Sequence, residues 1–348
     1  IVYSGRLNGQ VGDSVTFTID AGIVKAGDVV EIQNEVTQLV SLANTGLTVS
    51  VGVNGTTNDP TLSPGDVATI TIGLSNKSDS EVDNATVAMT IGGVGVLADA
   101  QNPTKAKVSG QTITWTKNEV AQLAQIQPGD NVNISLVVPT KTINQVKTDA
   151  DQNPSLDISV AVTSPSLPDN GASAKPTVVQ AKVRTTAALT IDGRYYDNTG
   201  AVIGSGPIPP KVGETTAYRV TWILATTTND LTNVKVTTTL PTSVFYTGKH
   251  TGTDAGSIDF DPTTRVVTWT LNKLPAGTGT RYPSLTATFE VSITPTTDQV
   301  GNVVVLTPTA TAAGTDSWVN QPVSVTADAL TTDVPNDPQA AGQGTVAP

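Results

Sequence analysis

The residues able to do chemistry are few in kind: thirty acidic side chains, one histidine and no cysteine in 348 residues. The histidine, His250, sits in Thr247-Gly248-Lys249-His250-Thr251. A lone loop histidine is ordinarily solvated, and no serine–histidine–aspartate set forms around it. Without a second histidine or any cysteine, no histidine- or thiolate-based metal cluster can be built. No phosphate-cradling glycine loop follows a strand and opens a helix. Glycosidases use two carboxylates, so Asp149 with Asp151 and Asp259 with Asp261 are the pairs to test. Both pairs lie in polar, turn-like segments with no aromatic sugar platform, and we expect no enzyme. The same acids suit calcium better, since that ion takes six to eight oxygen ligands. Thr148–Asn153 offers Asp149 and Asp151, and Asp333-Val334-Pro335-Asn336-Asp337 offers Asp333 and Asp337. Neither contains a complete EF-hand loop, and ordinary Asx-turn hydrogen bonding is the competing reading. No other cofactor is expected. Tyr195-Tyr196-Asp197 presents either an aromatic patch for a glycan or partner, or one ring inside a sheet and one outside. Asn54, Asn76, Asn84 and Asn133 head glycosylation sequons that a threonine-rich chain also produces by chance.

The elements that must position these residues are strands. Charged residues make up only 14% of the chain and hydrophobic ones 37%, with β-branched Thr and Val prominent and 30 Gly and 22 Pro as punctuation. Val67–Ile72, Thr86–Ile91, Val132–Val137 and Tyr218–Ile223 alternate with period two, which places one face in a core and the other in water. Only Lys117–Gln127 offers a helical pattern, and it is too short to stand alone, so it is either a short helix or no more than a turn. A net charge of −11 argues against nucleic acid and against a polybasic membrane contact. No apolar run reaches the 18 residues of a membrane-spanning helix. The chain starts at Ile1 rather than Met, so we expect either a removed leader or a start inside a longer protein.

An internal repeat organises the pattern. Pro64-Gly65-Asp66, Val82–Val87, Ile113-Thr114-Trp115-Thr116 and Pro128-Gly129-Asp130 recur in order as Val212-Gly213-Glu214, Asp230–Val236, Val267-Thr268-Trp269-Thr270 and Pro275-Ala276-Gly277. The offsets drift only from 148 (Val82 to Asp230) to 154 (Trp115 to Trp269) to 156 (Pro139 to Pro295). An indole in mid-strand is a natural anchor for a sandwich core. The expectation is all-β: tandem immunoglobulin-like antiparallel β-sandwiches, with modules at 45–183 and 184–338. Residues 1–44 form an N-terminal strand segment and 339–348 a tail. Within 1–44, Val11–Ile19 and Ala26–Ile32 resemble the strand openers of the modules. They are either the remainder of a preceding module or strands added to a neighbouring sheet.

The second copy resembles the conserved-repeat immunoglobulin-like domains that occur in tandem in large bacterial cell-surface proteins. The residues that carry the likeness are Val212–Tyr218, Asp230–Thr237, Leu240-Pro241 and Val267–Trp269, with a closing Ala327–Pro335. The likeness covers 184–338 well and 45–183 more loosely. It implies material of a wall, S-layer or fibre, and offers no catalytic residues to carry over.

Taken together, these features suggest an extracellular, cell-surface structural subunit that assembles with copies of itself through strand edges, as a filament, a pilus-like fibre or an S-layer. The strands expected to join copies are the terminal ones, with Val2, Tyr3 and Leu7 at one end and Leu330 and Val334 at the other. The alternative is an adhesin or carbohydrate-binding stalk with a glycan or cell-surface contact, which needs an aromatic patch or metal site on exposed loops.

Overall fold

The computed structural model describes residues 14–25, 29–41, 46–94, 106–142, 145, 148–167 and 177–348. An antiparallel hairpin comes first, β1 (Ser14–Lys25) and β2 (Val29–Ser41). Then follow β3 (Leu47–Val53), β4 (Thr61–Leu62), β5 (Val67–Asn76), β6 (Val82–Asp83), β7 (Thr86–Gly92), β8 (Lys107–Ser109), β9 (Thr112–Trp115), β10 (Gln125–Ile126), β11 (Asn131–Pro139), β12 (Ser155–Thr163) and β13 (Thr177–Val183). The second half holds β14 (Ala187–Arg194), β15 (Thr216–Thr226), β16 (Leu231–Thr239), β17 (Val244–Thr253), β18 (Ser257–Asp261), β19 (Val266–Leu274), β20 (Leu285–Ile293), β21 (Val305–Thr307), β22 (Ala310–Asp316), β23 (Gln321–Ala327) and β24 (Leu330–Thr331).

In the first module, the sheet β11-β5-β3 packs on the sheet β4-β13-β12-β7-β9-β8. In the second, β14-β15-β20-β17 packs on β18-β19-β16-β22-β23. The orders correspond strand for strand: β8-β9-β7-β12-β13 matches β18-β19-β16-β22-β23, and β3-β5-β11 matches β14-β15-β20. All pairings between these strands are antiparallel except the short β13–β4 contact. This is the tandem antiparallel sandwich that the alternation predicts.

The alternation works residue by residue. Along β5, Ala68, Ile70, Ile72 and Leu74 are buried while Val67, Thr69 and Thr71 are exposed. Each module has its own core, with Trp115 fully buried in the first and Trp222 and Trp269 in the second. Trp115 faces Val87 across the sheet, and Trp269 faces Val236 at the corresponding place. The repeat extends to the backbone. Asn84 and Asn233 both take left-handed conformations, φ 45° and 53°, one residue before the buried Ala85 and Val234. An asparagine tolerates this region because its short side chain can bond locally.

At three segments the structure refines the reading from sequence. Lys117–Gln127 forms only a 3₁₀ turn at Ala121–Ala124, after which Gln125–Ile126 joins β6 as a strand. Pro128 and Gly129 follow at once, so the segment has no length over which a helix could repay its nucleation. The described parts of the two strand openers, Ser14–Ile19 and Val29–Ile32, belong to one hairpin, whose strands pair with each other rather than with a neighbouring described sheet. The tail 339–348 belongs to the second module. Ala340 and Val346 are in its core, and Ala347 bridges Lys211 as a parallel strand residue.

Candidate functional site

The two sandwiches meet in a polar, buried junction. Its centre is Asp316 at the end of β22, which is 0% exposed. One carboxylate oxygen accepts hydrogen bonds from the Thr185 backbone N–H (2.7 Å) and from Asn229 Nδ2 (2.9 Å). The other accepts from the Trp318 backbone N–H at 2.9 Å. Asn229 Nδ2 also donates to the Val183 carbonyl at 3.0 Å, which ties the last residue of β13 to the second module. The Thr185 hydroxyl lies 3.0 Å from that of Thr226 and accepts from the Thr228 N–H at 3.0 Å. A buried charge is tolerable only when its oxygens are filled in this way.

Beside this centre, Trp318 reaches into the first module. Its indole N–H donates to the Pro154 carbonyl at 3.0 Å, and the Lys182 ammonium stands 4.5 Å from the ring centroid. A second patch joins Asp149 to Arg281 at 3.2 Å, while the Tyr282 hydroxyl donates to both Asp149 oxygens at 2.9 and 3.0 Å. That hydrogen bond to a carboxylate raises the Tyr282 phenol above its ordinary pKa.

The four acids read from sequence as calcium ligands are thus placed in four different settings. Asp149 belongs to the junction. Asp151 closes a capping box: it accepts from the Thr148 N–H and hydroxyl at 3.0 and 2.8 Å, and it pairs with Lys141 at 2.9 Å. Asp337 is 3% exposed and accepts four backbone N–H groups, from Tyr195, Tyr196, Gln339 and Ala340, at 2.6–2.9 Å. Asp333 is half-buried at the wall of a groove. Among the described residues no three His, Cys, Asp or Glu side chains converge as a metal site requires. The spacing Thr148-x-x-Asp151 was the available signal, since it is the one a capping box uses.

Asp337 also accounts for Tyr195-Tyr196. Its carboxylate holds their backbone, the Tyr195 ring is buried with its hydroxyl on the Gly206 carbonyl at 2.6 Å, and Tyr196 is half-buried against it. Burial pushes the Asp337 carboxyl up, but the four N–H donors outweigh it and hold the pKa below the usual value. Its stabilisation is therefore complete above the unfolded value of roughly 4 and is lost as pH falls through the lowered folded one. We expect Asp337→Asn to cost about 2 kcal/mol at neutral pH, because its amide N–H₂ would face N–H donors. Acid titration of unfolding checks this: the variant should lose part of the steep stability loss below about pH 4. An unchanged acid limb would refute it.

The proposed assembly residues divide. Val2, Tyr3 and Leu7 lie outside the described residues. Leu330 and Val334 are 6% and 0% exposed within the core of their own module. Leu330 is seated on Gly193, where any Cβ would meet its side chain at 2.5 Å, and β24 is already paired with β21. As placed, these two side chains are not free to enter another copy. Leu330 does line a groove of about 410 Å³ with Leu189, Ile191, Asp328 and Asp333. Of the sequons, Asn76 is fully buried, with its amide bonded to the Ser80 and Ile126 carbonyls. Asn54 and Asn84 occupy left-handed turns, and Asn133 is exposed on β11. Asp259 and Asp261 lie on the edge strand β18, with Asp261 bonded to Thr263 and Thr264. His250 lies in β17 opposite Phe289, between two register irregularities.

The third feature is the hairpin. Its described side chains from Thr16 to Lys25 and from Val30 to Leu39 are all exposed. Phe17, Ile19, Ile23, Val24, Val30, Ile32, Val36 and Leu39 are among them, at 43–65% exposure. An isolated two-stranded hairpin is at best marginally stable in water.

The pairing defines an all-β protein of tandem immunoglobulin-like sandwiches. No protein-family model matches the chain, and no curated protein matches it. Similar solved structures include the C-terminal domain of the AgI/II polypeptide BspA of Streptococcus agalactiae. It is 12% identical with a TM-score of 0.33, and the match covers 82% of this chain and 99% of that one. The full-length major pilin SpaD of Corynebacterium diphtheriae is 13% identical with a TM-score of 0.29, covering 72% and 61%. A transglutaminase of red sea bream is 10% identical with a TM-score of 0.27, covering 82% and 31%. The fold assignment rests on the strand pairing rather than on these likenesses.

Proposed function

We propose that the chain is a non-enzymatic structural subunit of an extracellular polymer at a cell surface, a filament, pilus-like fibre or S-layer, in which copies meet through exposed β-structure. The observation that carries this reading is the junction. Asn229 donating to Val183 and Trp318 donating to Pro154 bond the two sandwiches, while Asp316 holds Asn229 and the Thr185 backbone in place, an arrangement suited to transmitting load rather than to admitting a substrate. Copies of the chain are the partners. The described helices include none long and apolar enough to cross a membrane.

Negative-stain microscopy at rising protein concentration tests the proposal. Filaments or sheets that lengthen with concentration are expected, and they should persist in chelator, because Asp149, Asp151 and Asp337 already have protein partners. Monomers at every concentration, with and without calcium, would overturn the reading in favour of an adhesin stalk.

A further inference from the structure

We infer that the β1–β2 hairpin is a docking arm that pairs two copies of this chain face to face. In an antiparallel pair, residues directly opposite share a face. Phe17 lies opposite Gln38, and Ile19 opposite Val36, so these four share one face with Val15. That face carries no charge over this half of the arm. On the other face, Thr18 lies opposite Thr37 and Asp20 opposite Glu35. The two carboxylates therefore point away from the apolar surface.

The apolar surface is too large to be incidental. Eight of the eighteen exposed large apolar side chains among the described residues lie in this one hairpin. Phe17, Ile19, Ile23 and Val36 lie on this face and Val24, Val30, Ile32 and Leu39 on the other, so one face offers roughly half of the ~800 Å² that one partner contributes to a standard interface. Monomeric proteins seldom leave such a patch in water.

A contact through faces is required. Edge-to-edge strand addition would extend the ladder but leave every one of these side chains exposed. The β2 edge is also interrupted, because the register shifts between Ala21 and Gly22 and leaves Gln33 as an extra, bulged residue.

A second copy is the occupant the observations favour. The chain is strongly acidic, at −11, so close approach of two copies is least costly across an uncharged surface. The remaining exposed large apolar residues, such as Val67, Val108, Val178, Val202 and Phe245, are spread over both sandwiches. The concentrated apolar surface that matches this face in length and character is the same face on another copy. Two-fold stacking of identical patches is the ordinary way in which such a surface is covered.

Light scattering after size exclusion, on the full chain across a range of concentrations, tests this. The unmodified chain should dimerise with micromolar affinity. Ile19→Thr combined with Val36→Thr keeps β-branched side chains, and with them the hairpin, but removes the apolar contact. That variant should weaken association by at least about 30-fold, the size of an interface hot spot. Thr18→Glu, on the opposite face of the same strand, should leave association unchanged, and amide exchange over residues 14–41 should report an intact hairpin in both. A chain that stays monomeric at its solubility limit would overturn the inference. So would a dimer that survives the double threonine variant, or one that Thr18→Glu disrupts equally. The outcome is separable from the polymer reading. Discrete dimers without filaments keep the arm contact and sink the polymer. Filaments that survive the double variant do the reverse.

Discussion

Asp316→Ala should loosen the junction and lower the stability of the second sandwich by about 3 kcal/mol, since several buried N–H donors lose a charged acceptor. The loss has an identifiable origin. With the carboxylate gone, the N–H groups of Thr185 and Trp318 and the Asn229 amide lose their acceptor inside a site that water does not reach. The Asn229 Oδ1 atom is already buried without a partner, so the network has no slack with which to rearrange. Calorimetry should show the transition of the second module shifting down while that of the first stays near its original temperature. Asp316→Asn, which keeps one acceptor oxygen, should fall between. An unchanged melting profile for Asp316→Ala would mean that the Trp318 and Asp149 contacts hold the modules without it.

Trp269→Ala should be as damaging, at about 3–5 kcal/mol for an aromatic-to-alanine change in a core. Trp269 is 0% exposed, and its indole N–H donates to the Ala255 carbonyl at 2.8 Å. Truncation therefore leaves both a cavity between the sheets and an unsatisfied carbonyl. Trp222 remains at the centre of the same core, edge-on to Phe289 at 5.0 Å, and serves as a fluorescent reporter. A denaturant titration should show a lower midpoint for the second module with little change in the first. Equal loss in both modules would show that the two cores fold as one cooperative unit.

The sandwiches were legible because their signal is local. Period-two alternation over Val67–Ile72 and Tyr218–Ile223, and a tryptophan at the same place in each copy, follow from which side chains must face inward. Turn residues added a second local signal, with Gly65 and Gly213 both at positive φ before their strands. The junction was not legible. Asp316 finds Thr185 across 131 positions, and Tyr282 finds Asp149 across 133. No periodicity relates such residues, and each alone reads as an ordinary turn acid or strand threonine. Asp337 shows the same limit. From sequence its oxygens suited a cation, whereas in the fold they face four backbone N–H groups from two segments. The groove beside β14 depends on Leu330 folding back onto Gly193, again a long-range contact.

The bulge at Gln33 gives the arm a further property. Before it, the apolar positions Phe17, Ile19 and Val36 share one side of the ribbon. Beyond it, Val24 and Val30 lie opposite each other, and Ile32 opposite Gly22, on the other side. The inserted residue turns Ile32 and Val30 of β2 from the side of Phe17 to the side of Val24, so the ribbon carries apolar side chains on both sides. In the language of valence, a ribbon with one apolar side can close only into pairs. This ribbon, once paired through its Phe17 side, keeps its Val24 side as a second, unused valence.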